Sequence, residues 1–365
     1  MRRITYLWQS GDWPDFVWDA GELLAPLAAA ARKQGVLLGK MAQLGLDLQG
    51  AARVQAVAEE ASKSSSIEGE ELDWASVRSS VARRLGVKLA GLTEKVDQKA
   101  DGVVAMTLDA TLGHAKPLTL ERLIGWQVQL QTGAPPGLRT DALGPMQVVS
   151  GPIGKERVHF EAPPAKQLAR EVKQFLAWFN APPKLDGVLR AGLAHLWFVT
   201  IHPFDDGNGR VARAITDMAL AQLEGKPERF YSLSSQLRRD RKRYYDMLEH
   251  TQKGPLDVTP WLLWFTETFA KAVDSADDIL AEVLGRAELA KRLASKALNE
   301  RQRLMMSKLL AGLEGKLTSG RWAALTKTSV DTAQRDLKEL LELKLLVKNP
   351  GGSKNTSYAL STYRR

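Results

Sequence analysis

Apolar residues recur at helical spacing through most of this chain. Leu168, Val172, Phe175, Leu176 and Phe179 predict a helix that opens after Pro163-Pro164 and stops at Asn180 and the prolines beyond it. Residues 185–201 form a more strongly apolar helix that runs into His202-Pro203, where proline disfavours any continuation. Residues 258–283 predict one long helix with Trp261, Leu262, Phe265 and Phe269 on a single face. The first hundred residues read as helical after an aromatic opening of Trp8, Trp13, Phe16 and Trp18, which is assigned to packing. Two short strand-like runs, Gln147-Val148-Val149-Ser150 and Arg157-Val158-His159-Phe160, flank the turn-rich residues 151–156 and predict a β-hairpin.

Beyond residue 285 the pattern changes. Charged and small residues over 285–299 predict a linker, with helix still open there. Leu304, Leu309 and Leu310 predict one helix, residues 318–325 a second, and residues 328–337 open a third whose Leu337, Leu340 and Leu341 face inward. Residues 345–348 and 358–360 read as strands around the turn 349–354. The fold class is therefore mainly α. Its expected divisions are a helical region over 1–100, a core over 101–285, and a linker with a small unit over 286–365.

Length and composition narrow the choices. At 365 residues the chain has room for two or three domains. Arg190 and His195 interrupt the apolar stretch 189–201, so no run reaches the roughly 18 uncharged residues of a membrane span. The opening from Met1 to Trp8 soon meets Asp12 and Asp15 and lacks the apolar segment of a secretory signal, so the cytoplasm is expected. The absence of cysteine excludes disulfides, cysteine-bound zinc and thiol nucleophiles. A net charge of +9 fits a nucleic-acid surface, an anionic substrate or plain solubility. Its location sharpens this. Residues 297–365 hold 13 Lys and Arg against 6 Asp and Glu, which leaves only +2 for residues 1–296.

The segment richest in chemistry is His202-Pro203-Phe204-Asp205-Asp206-Gly207-Asn208-Gly209-Arg210-Val211-Ala212-Arg213. Glycines on either side of Asn208 let the backbone turn several N–H groups into one concavity, and a helix opening there adds donors and partial positive charge. Arg210 and Arg213 are three apart and project on the same side of the first turn. Together they form an anion cradle suited to a polyphosphate. Asp206 is a hard oxygen ligand of the kind Mg²⁺ takes beside phosphates, and His202 is a group able to accept a proton from a hydroxyl. The Walker pattern of Gly-x-x-x-x-Gly-Lys-Ser/Thr is absent.

This segment resembles the Fic signature, His-x-Phe-x-Asp/Glu-Gly-Asn-Gly-Arg-x-x-Arg, at every specified position. The resemblance implies a helical Fic fold and a nucleotidyltransferase that moves AMP from ATP to a Ser, Thr or Tyr hydroxyl of a protein, itself included. It assigns His202 as the general base and Phe204 as the anchor of the loop. Asp206 would hold Mg²⁺, and Gly207, Asn208 and Gly209 would cradle the phosphates. Arg210 would bind them, with Arg213 on the γ-phosphate.

Ser64-Ser65-Ser66-Ile67-Glu68-Gly69 closes an alanine-rich helix. Taken alone, it is a helix end with a solvent-facing acid. Beside a Fic core it looks like the family's inhibitory motif, Ser/Thr-x-x-x-Glu-Gly/Asn. That resemblance implies that Glu68 pairs with Arg213 and occupies the γ-phosphate position, because one guanidinium cannot fork to both. Glu68 would alternatively position water to remove AMP from a target.

The hairpin resembles the Fic flap, which docks an extended target segment by main-chain bonds. Val158, His159 and Phe160 are the candidates for its ATP-facing side, and Tyr244, Tyr245 and Gln252 for the adenine border. His195, seven residues before His202, is read as a core histidine, because no third metal ligand accompanies it. Three helices and a hairpin at the end look like a winged helix-turn-helix, with Ser329, Thr332, Gln334, Arg335 and Lys354 as DNA-contact candidates. Asp331, Asp336, Glu339 and Glu342 on the third helix weigh against DNA. A nucleotide-sensing DNA-binding regulator is thus the alternative to the enzyme, and a homodimer stays open.

Overall fold

The structure, a computed structural model, describes residues 6–89, 92, 96–142, 144–152, 154–310, 313, 315–350 and 356–361. It is mainly helical. At the centre lies α7 (Gly187–Ile201), capped by the Asp186 carboxylate, which accepts from the Val188 N–H at 2.8 Å. Its residues are buried from Val188 to Ile201, as befits a helix apolar on all sides. It pairs with α8 (Asn208–Glu224), whose buried face supplies Val211, Ile215 and Met218. The chain turns between these two helices over six residues.

Helix α2 (Leu46–Ile67) is the second organising element. Ala52, Ala56, Ala58, Ala61 and three consecutive serines from Ser64 are buried, so neighbours close in on nearly every side. It packs against α3 (Trp74–Leu85), α4 (Gln98–Leu112), α9 (Leu233–Arg239) and α12 (Ala276–Ala294), and its end reaches α8. Helix α1 (Ala20–Ala42) lies along α11 (Thr259–Asp274). Helices α5 (Leu120–Gln129), α6 (Ala165–Asn180) and α10 (Arg241–Gln252) complete the body. One apolar core contains residues from Leu23 to Val283, so the N-terminal helices share it with α7 and α8.

The predicted helix over 258–283 is two helices. Alpha-helix α11 stops at Asp274 and α12 starts at Ala276. At the break the Ser275 hydroxyl donates to the Lys271 carbonyl at 3.0 Å and accepts from Arg239 at 2.8 Å, a back-bonding arrangement that bends helices. The charged stretch after 285 continues as α12 to Ala294, and Leu289 joins the C-terminal core.

Strands β1 (Gln147–Ser150) and β2 (Arg157–Glu161) pair antiparallel. Phe160 faces Val148 and Val158 faces Val149, so His159 is the extra residue of a bulge. The aromatic opening pins this hairpin from behind. Trp8 Nε1 donates to the Glu161 carbonyl at 2.7 Å, and the Tyr6 and Phe160 rings meet edge to face at 5.2 Å. Ile153, in the predicted turn, lies outside the described residues.

A second core, from Leu289 to Leu346, gathers α13 (Glu300–Leu310), α14 (Ser319–Thr326), α15 (Val330–Glu342), β3 (Leu346–Lys348) and β4 (Tyr358–Leu360). Leu337 and Leu340 face this core as expected, whereas Leu304 is exposed and Met305 and Met306 are buried in its stead. Asp336 is buried and accepts from Asn299 at 2.9 Å and from Arg301 at 2.8 and 3.0 Å, so it ties α13 to α15. Lys354 and the rest of 351–355 lie outside the described residues.

His195 is a core residue. Its Nδ1 meets Thr216 Oγ1 at 2.9 Å, its Nε2 meets the Tyr244 hydroxyl at 2.8 Å, and its ring stacks on Trp261. Burial, aided by the Arg213 charge, pulls its pKa down to about 3. The unfolded chain therefore binds one more proton than the folded one between the ordinary histidine value and about 3. This contribution to stability is whole above that ordinary value and is lost as pH falls through the window. Urea midpoints measured from pH 7 to pH 4 are expected to drop, and His195→Gln is expected to flatten the drop. An equal slope in both proteins would contradict it.

Candidate functional site

The turn between α7 and α8 is held in an unusual backbone shape. His202 takes φ 49°, left-handed for a residue with a Cβ, which costs about 1–3 kcal/mol unless the surroundings enforce it. Arg139 does the enforcing. Its Nε donates to the His202 carbonyl at 2.7 Å, its Nη2 donates to the Pro163 carbonyl at 2.5 Å, and its backbone N–H donates to the Pro203 carbonyl at 2.9 Å. Asn208 closes the loop on itself. Its Oδ1 accepts from the Phe204 N–H at 3.0 Å and its Nδ2 donates to the Phe204 carbonyl at 2.7 Å, while the Phe204 ring is fully buried.

Two glycines have specific reasons. Gly207 sits at φ 89° as the residue before α8, and a Cβ there would stand 2.8 Å from Leu130 Cδ1. A Cβ on Gly209 would stand 2.2 Å from Glu68 Oε1, so only glycine admits that carboxylate. The first turn of α8 then presents its N-terminus beside the loop, with the partial positive charge that attracts anions.

His202 is partly buried, and its Nδ1 lies 3.2 Å from the Val199 carbonyl. A carbonyl only accepts, so Nδ1 carries the proton and Nε2 is left as an acceptor. Burial pulls the pKa down to about 4. The Val199 carbonyl opposes this, and Arg139 adds to it. The ring is neutral near pH 7 and able to take a proton.

Arg213 is 2% exposed. Its Nε donates to Ser64 Oγ at 2.8 Å, and its Nη2 donates to the Ser64 carbonyl at 2.8 Å and to Glu68 Oε1 at 2.7 Å. Its Nη1 is buried with no hydrogen-bond partner among the described residues. Burial pushes the Glu68 carboxyl up, but the Arg213 charge and hydrogen bond outweigh it and hold the group below the usual carboxylate range. Tyr245 approaches Glu68 Oε2 at 3.5 Å. Arg210 is engaged as well: its Nη1 meets Glu70 Oε2 at 2.5 Å, and its Nη2 lies 3.8 Å from Asp206. Glu70 also accepts from Lys99 at 2.9 Å. Both predicted phosphate-binding arginines thus sit on carboxylates from the end of α2 or just beyond it. Sequence reasoning found Glu68 and missed Glu70, although its alternation with Glu68 around Gly69 was visible.

In front of these groups opens a cavity of about 730 Å³. Glu68, His202, Gly209, Tyr244, Tyr245, Gln252, His159 and Phe160 line it, so α2, the loop, α10 and the hairpin converge there. Tyr244 is buried with its hydroxyl on His195, and Gln252 donates to Thr200 at 3.2 Å. Val158 is exposed and outside the lining, because the bulge turns His159 and Phe160 together toward the cavity. Arg213 stands behind Glu68, and the Asn208 side chain serves the loop and does not face the cavity. Asp206 is mostly exposed, and it lies outside the lining together with Gly207 and Arg210. Arg139, Glu70, Val148, Val149, Ser150 and Glu249 belong to the neighbourhood without having been singled out. Arg139 carried no local signal, since its role depends on chain reaching it from Pro163 and His202.

Residues 117–220 match the model of the Fic/DOC family, and residues 6–87 match a domain of unknown function, DUF4172. The chain is 27% identical over 168 residues to a protein adenylyltransferase Fic of Nematostella vectensis, covering 45% of this chain and 31% of that one. It is 30% identical over 105 residues to one of Culex quinquefasciatus, covering 28% and 19%, and 25% identical over 214 residues to one of Drosophila virilis, covering 57% and 40%. The chain therefore spans well under half the length of these relatives. In fold it is similar to a Fic family protein from Desulfovibrio desulfuricans G20, with a TM-score of 0.51 and 17% identity over 93% of this chain and 97% of that one. A Fic domain containing signaling protein from Bacteroides thetaiotaomicron gives 0.51 and 16% over 70% and 97%. Among the described residues no helix is long and apolar enough to cross a membrane.

The electrostatics of the loop give a direct test. His202 is expected to titrate near pH 4 by NMR in the nucleotide-free protein, and Arg139→Gln is expected to raise that midpoint by removing a nearby positive charge. A midpoint at the ordinary histidine value in the unsubstituted protein would falsify the burial argument.

Proposed function

We propose that this chain, which carries a Fic domain over residues 117–220, transfers AMP from ATP to a Ser, Thr or Tyr hydroxyl of a protein, and that Glu68 restrains the transfer. The observation that carries the reading is the Glu68–Arg213 pair, set beside a neutral His202 whose Nε2 is ready to accept a proton. His202 takes the proton of the target hydroxyl as its oxygen attacks the α-phosphorus, and pyrophosphate leaves. The N-terminus of α8 and Arg210 meet the phosphate charge that develops. Arg213 is committed to Glu68 until that carboxylate turns aside.

Asp206 fits a magnesium ion. It is a single, mostly exposed carboxylate beside the phosphate cradle, and such an ion takes its remaining ligands from phosphates and water. When bound, the ion neutralises phosphate charge. Tyr244, Tyr245 and Gln252 border the base, and the hairpin supplies the edge for an extended target segment.

For the C-terminal unit we propose a winged helix-turn-helix, supported by the chain order of three helices and a two-stranded hairpin. Burial of Asp336 takes one of four acids off the third helix, which favours a role for Thr332, Gln334 and Arg335 on a nucleic acid more than the sequence did. A gel shift with genomic fragments tests this, and no shift by the whole chain at low salt would dismiss it.

His202→Ala is expected to lower AMP transfer at least ~100-fold while ATP binding persists, as removal of a general base does. Glu68→Gly is expected to raise labelling from α-labelled ATP roughly tenfold or more, the equivalent of one charged hydrogen bond. Undiminished transfer by the first variant would remove His202 from its role. Equal labelling by the second would remove the restraint.

A further inference from the structure

The hairpin and α10 bring together a serine, a histidine and a carboxylate to which the transfer reading above gives no proton-transfer role. Ser150 ends β1, is exposed, and lines the same cavity as His202 and Gly209. Its Oγ lies 2.6 Å from His159 Nε2, and His159 Nδ1 lies 2.5 Å from Glu249 Oε2 on α10. The direction of these bonds follows from Glu249. Hydrogen bonds from Lys253, His159 and Arg157 outweigh its desolvation and hold its pKa down to about 2. An ionised carboxylate only accepts, so Nδ1 carries a proton, and in the neutral ring Nε2 faces the serine hydroxyl as an acceptor. Nucleophile, base and orienting carboxylate stand in the order that activates a hydroxyl.

The bulge makes this alignment. Ser150 pairs with Arg157 across the hairpin, and the extra residue His159 is turned back over it. Attachment of the hairpin to α10 does not need the serine. Arg157 and His159 already bind Glu249, at 3.0 and 2.5 Å, and Ser150 and His159 both belong to the hairpin. The hydroxyl contact adds nothing to that attachment. Its effect is on the hydroxyl itself, within reach of the cavity where the nucleotide is proposed to sit.

We propose that Ser150 is an acceptor hydroxyl carried by the chain itself, receiving AMP on its Oγ with His159 as the local base. The inference rests on the AMP-transfer reading above. A bond forms between Ser150 Oγ and the α-phosphorus of ATP, and the bond from that phosphorus to the bridging oxygen of pyrophosphate breaks. The Oγ proton passes to His159 Nε2 and from there to solvent. The products are a phosphodiester of Ser150 and pyrophosphate. AMP on Ser150 places a nucleotide on the hairpin edge offered to targets, so modification would compete with target docking.

The whole chain bearing Glu68→Gly, incubated with ATP and Mg²⁺ alone and also with a host lysate, separates the outcomes by peptide mass spectrometry. Expected is one AMP on Ser150, absent when Ser150→Ala is added, retained with Ser150→Thr, and formed at least about tenfold more slowly with His159→Gln. AMP on another residue with Ser150 bare, or labelled lysate proteins with an unlabelled chain, overturns this inference and leaves the transfer reading standing. No label on the chain or on any lysate protein overturns both. Labelling of Ser150 at an unchanged rate in the His159→Gln protein overturns the role of His159.

Discussion

The arrangement of this protein turns on one buried guanidinium. Arg213 sits in the middle of the helical body at 2% exposure, where an unpaired charge is prohibitive. Its charge is balanced by Glu68, the residue that caps α2, and its Nε donates to Ser64 on the last turn of that helix. For α2 to bring them there, its own flanks must be small, and Ala52, Ala56, Ala58 and Ala61 meet that need. Gly209 must lack a Cβ, or the carboxylate could not stand against α8. Packing of the N-terminal helices and charge balance at the site are thus one constraint met by the same residues.

The loop before α8 is stabilised on similar terms. His202 takes a left-handed backbone because Arg139 binds the carbonyls of His202 and Pro203. That guanidinium also keeps positive charge near the imidazole, so the contact that shapes the loop helps burial keep His202 neutral. Glu70 pairs with Arg210 as Glu68 pairs with Arg213. Both cations rest on carboxylates, so an anion reaching either guanidinium would compete with the carboxylate already there.

Much of the fold was legible in the chain. The periodicity of Leu168 to Phe179 gave α6, and the strongly apolar run over 185–201 gave α7. The hairpin appeared at nearly its predicted residues. Errors came where a side chain competed with the backbone or a local pattern had no local cause. Ser275 divides the long helix through its bond to Lys271, although apolar spacing continues across it. Leu304 faces out because the packing of α13 against α14 and α15 selects Met305 and Met306. Val158 points away from the cavity because a bulge interrupts the alternation that strand spacing assumes.

The sequence by itself determined the chemistry available: a His-Pro helix end, a Gly-Asn-Gly turn, two arginines three apart, and an acid beside a glycine at the end of an alanine-rich helix. These are properties of short segments, where backbone freedom and helical spacing suffice. Only the tertiary structure decided which charges meet. Glu68 reaches Arg213 across 145 residues, Glu70 reaches Arg210 across 140, and Ser150, His159 and Glu249 align through a bulge and a separate helix. Electrostatic partners are chosen by distance in space and by burial. Those depend on how α2, α8, α10 and the hairpin pack together, which no local pattern encodes.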